Sequence, residues 1–207
     1  MDDSARASAS GASRRPVLRM RVIGGFYRRR ELAKLPRGLL GVRPTYDRVR
    51  ENLFNVLGER VRGARFLDLY AGTGAVGIEA LSRGAGFATF VDDSLGCGNL
   101  IRRNCESLGV AAGSYEIVVE DAREFIRSSG AGAYDVVFMD PPYGEGILRE
   151  TLEALGASRL AGAGATVACQ GGKMETERGI GGFELTRQER WGSTWITFWR
   201  MEGVDEK

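Results

Sequence analysis

Histidine is absent from this 207-residue chain, and lysine occurs only at Lys34, Lys173 and Lys207. Without an imidazole the commonest general base and the commonest metal ligand are both missing. A Ser-His-Asp triad and an HExxH zinc site are excluded. The three cysteines, Cys97, Cys105 and Cys169, form no C-x-x-C pair and are odd in number, so neither a disulfide framework nor a zinc ribbon is expected, and a reducing compartment is. No apolar run approaches the roughly 18 residues of a membrane span. The first 20 residues also lack the apolar core of a secretory signal. The expectation is a soluble, cytoplasmic protein without a metal. An Ala/Ser/Arg-rich start would suit an organellar presequence, but Asp2 and Asp3 count against it, and residues 1–16 read as a disordered tail.

What is present is arginine, unevenly spread. A formal net charge of +2 conceals 13 Lys+Arg against 4 Asp+Glu in residues 1–50, and 16 against 23 in the rest. A basic segment built from arginine suits phosphate, because the flat guanidinium pairs bidentately with it and stacks on bases. The alternative is a solvated charge run on a loop. Within the segment VLRMRVI (17–23) alternates like a strand with one basic face, Gly24-Gly25 supplies a turn, and Phe26-Tyr27 leads into Arg28, Arg29 and Arg30. A basic module over 17–45 is expected, followed by a helix from about Tyr46 to Glu59 on the spacing of Val49, Leu53, Val56 and Leu57.

From Arg65 onward five apolar runs, RFLDLY, FATFVD, YEIVV, YDVVFMD and ATVAC, alternate with helical stretches. That rhythm marks a parallel sheet covered on both faces. The last two runs, FELTRQ and STWITFWR, have only a turn between them, so the sheet should close with an antiparallel hairpin. The fold class is therefore α/β: a Rossmann-like, mostly parallel seven-stranded sheet in a domain over 46–202, with 203–207 as a tail.

Between the first run and its helix lies Asp68-Leu-Tyr-Ala-Gly72-Thr-Gly74-Ala-Val-Gly77, where bare backbone would let a cofactor approach. Asp92 ends the second run, suited to ribose hydroxyls, and Asp121-Ala122 follows the third, suited to an adenine edge. Asp121 would also serve as a helix N-cap, with Glu124 completing a capping box. A dinucleotide enzyme must be weighed here. Asp68 argues against it, since a carboxylate at the loop would repel a pyrophosphate and welcome a cation. S-adenosylmethionine, with a sulfonium and an ammonium but no phosphate, fits better.

Asp140-Pro141-Pro142-Tyr143 follows the fourth run directly. Two prolines fix the backbone so that carbonyls point outward. A planar amine can then donate to Asp140 and the Pro141 carbonyl while its ring stacks on Tyr143. Such chemistry rests on orientation and needs no histidine. Methylation at a pyrimidine carbon would need a thiolate instead. No cysteine lies in this loop, and the three cysteines read as packing residues.

These residues together are similar to a known family. MRVIGGFYRRRELAKLPRGLLGVRP (20–44), TYDRVRENLFNVL, LDLYAGTGAVGIEALSRGA, DPPY and ERWGSTWITFWR resemble the bacterial 16S ribosomal RNA guanine-N2 methyltransferases of the RsmD type over roughly 17–200. DPPY alone is shared with adenine-N6 DNA and glutamine methyltransferases; RVIGG with R-P-T-x-D-R-V-R-E is more specific. The resemblance implies the class I S-adenosylmethionine-dependent methyltransferase fold. It implies methyl transfer to the exocyclic N2 of one guanine, in the 30S subunit or a late assembly intermediate; a monomer is the default expectation. It assigns Asp68, Gly72, Gly74, Asp92, Asp121 and Ala122 to the cofactor. Asp140, Pro141 and Tyr143 go to the guanine, and Arg28, Arg29, Arg30, Arg43, Thr45, Asp47 and Arg48 to the RNA. Thr45 and Asp47 would also be ordinary helix-start residues. Two departures stand out: Cys169-Gln170 where the family has a glutamate, and Asp92-Asp93 where glutamate is commoner. Methylation of DNA adenine and a non-catalytic RNA-binding module on the same fold are the competing readings.

Overall fold

A computed structural model describes residues 20–33, 47–130, 134–142, 146–172 and 179–202. Its centre is one sheet of eight strands in the order β3-β2-β1-β4-β5-β8-β7-β6. The strands are β1 (Arg65–Leu69), β2 (Phe87–Asp92), β3 (Tyr115–Val119), β4 (Tyr134–Met139), β5 (Ala161–Gly171), β6 (Gly179–Ile180), β7 (Phe183–Trp191) and β8 (Thr194–Met201). The first five pair in parallel and the last three antiparallel. The expected count of seven is corrected to eight. The addition is β6, two residues long, whose Gly179 and Ile180 pair with Glu184 and Phe183, too short a run to leave a period-2 pattern.

Alternation along the strands sends side chains to two cores. On one face Phe66, Phe90, Phe138 and Phe198 pack with α1 (Asp47–Leu57), α2 (Ala75–Ser82) and α3 (Leu95–Leu108) through Leu53, Ile78 and Ile101. On the other, Leu67, Leu69, Val137 and Trp199 pack with α4 (Ala122–Ser128) and α5 (Ile147–Ala157) through Phe125, Leu152 and Leu155. Coverage on both faces is why the β1 and β4 segments are apolar almost throughout. The sheet reverses its order of winding between β1 and β4, which opens a crevice at their carboxyl ends. Among the described residues no helix is long and apolar enough to cross a membrane.

Of the amino-terminal module, residues 20–33 are described. Of the strand expected over Val17–Ile23, residues 17–19 lie outside the described residues, and over Met20–Ile23 there is one antiparallel bridge, Arg21 to Glu31. Hydrogen bonds from Val22 N to Arg30 O (2.9 Å) and from Leu32 N to Met20 O (2.9 Å) complete a short hairpin. Its Met20, Val22 and Leu32 are buried in the same core as α1 and α2.

Glu79 on α2 holds this hairpin down. Its carboxylate, 1% exposed, accepts from Ile23 N and Gly24 N at 2.7 Å each and from Arg83 Nε at 2.7 Å. These are charge-assisted bonds in a site shielded from water. Glu79→Ala leaves two half-buried amides and Arg83 without their acceptor, and should lower unfolding free energy by about 2–4 kcal/mol. It should also speed tryptic cleavage at Arg28–Arg30. A urea midpoint and cleavage rate equal to the parent's would show that the anchor contributes nothing.

Candidate active site

The loop from β1 to α2 departs from ordinary backbone at three positions. Tyr70, Gly72 and Gly74 have φ of 59°, 55° and 72°. At Gly74 a side chain is excluded twice over, because a Cβ there would also lie 2.8 Å from Ile101 Cγ1. Positive φ at a non-glycine residue stores backbone strain of the kind found at functional sites. Tyr70 is held by its hydroxyl, 2.8 Å from Thr151 Oγ1. The loop is also bolted to the neighbouring strand: Gly72 N donates to Asp92 Oδ2 (2.8 Å) and Ser94 N to Asp92 Oδ1 (3.0 Å).

Beneath the loop lies Asp68, 1% exposed, with Oδ2 accepting from Gly77 N at 2.8 Å. Burial, with Asp140 and Asp92 nearby, holds its carboxyl well above the usual carboxylate range against the pull of that amide. Asp121 caps α4 through Arg123 N (2.9 Å) and Glu124 N (3.3 Å). Its slight burial alone would raise it, but the Arg123 side chain and the two amides win and hold it below its ordinary value. Glu124 pairs instead with Arg127, so the capping box is made from one side only.

A cavity of about 730 Å³ joins these groups at the crevice between β1 and β4. Asp68, Asp92, Asp93, Asp121 and Asp140 line it, with Arg123 the one cationic side chain among the lining residues. The volume suits a drug-sized ligand, and the charge suits a cation. No group of three metal-ligating side chains occurs among the described residues. Cys97 also lines the cavity, but burial pushes its thiol up to about 11 and that of Cys105 up to about 12. Burial drives Cys169 higher still. All three cysteines are buried and free, and none is poised as a thiolate.

Asp140 stands where β4 ends, its N–H directed to Leu69 O at 3.4 Å. Gln170 near the end of β5 donates from Nε2 to Asp140 Oδ2 at 2.7 Å. Burial pushes the Asp140 carboxyl up to about 7, against the Gln170 bond that holds it down. The other half of the Gln170 amide, Oε1, is buried without a hydrogen-bond partner. Pro141 is buried and Pro142 exposed.

Asp68, Gly72, Asp92, Asp121, Ala122, Asp140 and Pro141 all line this one cavity, and Gly74 closes its loop. Tyr143, Arg43 and Thr45 lie outside the described residues. Asp47 pairs with Arg21 (3.2 Å) and Arg50 (2.9 Å), tying α1 to the hairpin, while Arg48 is exposed. Arg28, Arg29 and Arg30 are exposed but far from the cavity, at the hairpin tip: Phe26 N donates to Ser82 O at the carboxyl end of α2, whose amino end lines the cavity. Tyr70, Arg123 and Gln170 were not expected among the site residues. Tyr70, between the acid and the glycines, carried a local signal, and Gln170 was visible as a departure from the family's glutamate.

The family described as conserved hypothetical protein 95 matches residues 20–200. The chain belongs to this family. It is of the RsmD type, as the motif resemblance implied, and its fold is that of S-adenosylmethionine-dependent methyltransferases. It is 40% identical over 136 residues to ribosomal RNA small subunit methyltransferase D of Escherichia coli (strain K12), covering 66% of each chain. To the putative rRNA methyltransferase YlbH of Bacillus subtilis it is 33% identical over 187 residues, 89% of this chain and 100% of that one. Among solved structures, the putative methyltransferase yhhF from Escherichia coli superposes with a TM-score of 0.75 at 33% identity, covering 89% of this chain and 99% of the other.

The acid at Asp140 has two measurable consequences. If the ionised carboxylate is the form that accepts a hydrogen bond from the substrate, kcat/KM should rise with pH through about 7. Gln170→Leu, which removes the bond favouring ionisation, should move that rise to higher pH; a limb that stays put would sever Gln170 from Asp140. For stability the sign runs oppositely. A carboxyl whose folded pKa of about 7 exceeds the ordinary 3.8 stabilises most at low pH, and that contribution is lost as pH rises between the two values. Asp140→Asn should therefore melt a few degrees above the parent at pH 8, with the gap narrowing toward pH 5, by calorimetry.

Proposed function

We propose that this chain transfers a methyl group from S-adenosylmethionine to the exocyclic N2 of a guanine in 16S ribosomal RNA. Its substrate is the 30S subunit or a late assembly intermediate, and it works as a cytoplasmic monomer. The observation that carries this reading is Asp140. It is a carboxylate followed by two prolines that lines an acid-rich cavity, with one oxygen held by Gln170 and the other oxygen left for an amine. The RsmD-type relatives support ribosomal RNA as the acceptor.

The cavity fits the cofactor. S-adenosylmethionine supplies a methyl group on a positively charged sulfur, and five aspartates against one arginine favour that charge over a pyrophosphate. Asp68 underlies the loop of Gly72 and Gly74. Asp92, whose oxygens each accept one amide, keeps a lone pair on each for ribose hydroxyls. Asp121 and Ala122 border the adenine end.

On the acceptor side Asp140 and the Pro141 carbonyl take the two hydrogens of the guanine amine, turning its lone pair toward the methyl group, and Tyr143 stacks on the base. With no histidine in the chain, a carboxyl near 7 is suited to take the proton that the amine must lose. Arg43, Thr45, Asp47 and Arg48 meet the RNA beside the target base, and Arg28, Arg29 and Arg30 meet it at the hairpin. The base reaches the cavity by leaving its stack.

The test is incorporation of labelled methyl into 30S particles lacking the modification, naked 16S RNA and duplex DNA, followed by nucleoside digestion. N2-methylguanosine from the 30S particles is the expected product, and N6-methyladenine from DNA would overturn the acceptor. Asp140→Ala should abolish transfer while S-adenosylmethionine still binds by calorimetry. Asp92→Ala should weaken that binding by roughly ten-fold or more. Turnover near the parent's in Asp140→Ala would remove this carboxylate from the chemistry.

A further inference from the structure

Phe26 is the most exposed large apolar side chain among the described residues, at 88%. It sits at the tip of the hairpin, beside Arg28 and Arg29, which are also exposed. Neither guanidinium has an ion-pair or hydrogen-bond partner among the described residues. The only acid in the described hairpin is Glu31.

This display is rigidly mounted. Phe26 N donates to Ser82 O at 2.7 Å, Tyr27 N to Ser82 Oγ at 2.9 Å, and Ser82 Oγ to Gly24 O at 2.5 Å. Gly25 lies so close that a Cβ would fall 1.8 Å from Ser82 O, and its φ is +74°. Arg29 takes φ 69°, a conformation that non-glycine side chains rarely adopt. Arg30 reaches over to donate to Ser107 O at 2.8 Å in the last turn of α3. The Tyr27 ring meets Phe26 edge to face at 5.1 Å, which fixes its orientation. An apolar ring held this firmly in water, with two uncommitted arginines beside it, is a pre-organised contact and not a frayed turn.

We propose that Phe26 is a stacking platform for an unpaired base of the RNA substrate, with Arg28 and Arg29 on the adjoining phosphates, at a contact separate from the cavity. The inference rests on the RNA reading above and adds a place and a mode. Flat rings stack on any base, and guanidinium groups neutralise phosphate, so aromatic and arginine side by side suit single-stranded RNA. The separation follows from α2: its eight residues span about 12 Å from the loop at the cavity to the end that carries the tip. The nucleotide on Phe26 is therefore not the one being methylated. Arg30, with one nitrogen on Ser107 O, also anchors the platform.

Binding of 30S particles lacking the modification and of naked 16S RNA, measured across a salt series, tests this. Phe26→Ala should weaken both about ten-fold while the slope of log K against log salt is unchanged, and Phe26→Tyr should restore affinity where Phe26→Leu does not. The Arg28→Ala/Arg29→Ala pair should reduce the magnitude of that slope by about one to two. In every variant the melting temperature and the Kd for S-adenosylmethionine should equal the parent's. Parental affinity in Phe26→Ala, full rescue by leucine, or a loss confined to 30S particles and absent from naked RNA would each overturn the proposal, the last by pointing to a ribosomal protein. Failure of the parent itself to bind or methylate the 30S particle would instead defeat the RNA reading.

Discussion

Three carboxylates, Asp68, Asp92 and Asp140, sit at the ends of three adjacent parallel strands and border one cavity. Left alone, like charges so close and so poorly solvated would protonate or spread apart. Each is held by donors from a different element: Gly77 N on α2 for Asp68, Gly72 N and Ser94 N for Asp92, and the Gln170 amide on β5 for Asp140. The order β2-β1-β4-β5 is what puts those donors within reach, so the sheet topology and the electrostatics of the site are one design.

The helix α2 ties that site to the hairpin. At its amino end Gly77 must be glycine for packing as well, since a Cβ would fall 2.3 Å from the Phe90 ring. At its middle and carboxyl end Glu79 and Ser82 grip the hairpin through backbone amides. The hairpin has too few ladder bonds of its own to stand alone. It exists because a buried carboxylate on α2 accepts its N–H groups, and Asp47 with Arg50 closes it against α1.

Much of this was legible in the residues. Apolar runs such as FLDL and VVFM could only be strands covered on both faces, and the glycines after Asp68 announced a turn at a strand end. Legibility failed where an element depends on distant partners. The arginine alternation in VLRMRVI looked like a strand, yet strand length is set by the neighbour, and among the described residues the one bridge is Arg21 to Glu31. Arg28, Arg29 and Arg30 read as basic without saying where, because the docking of the tip depends on Glu79 and Ser82, more than 50 residues away in sequence. Gln170 stood out in sequence as a departure in place of an acid. Its role became visible only when β4 and β5 paired and set its amide against Asp140.

That exchange of acid for amide changes the electrostatics of the whole cluster. A fourth carboxylate 2.7 Å from Asp140 would add repulsion where burial already pushes that group up to about 7. The glutamine supplies a donor instead, so Asp140 ionises more readily than it would beside an acid. Among the lining side chains five aspartates still face one arginine, and Asp140 and Asp92 add to an upward shift of Asp68 that burial chiefly causes. A ligand carrying positive charge relieves that excess, whereas a neutral one of the same shape does not. The lining therefore favours a cationic ligand over a neutral one of the same shape by Coulomb attraction.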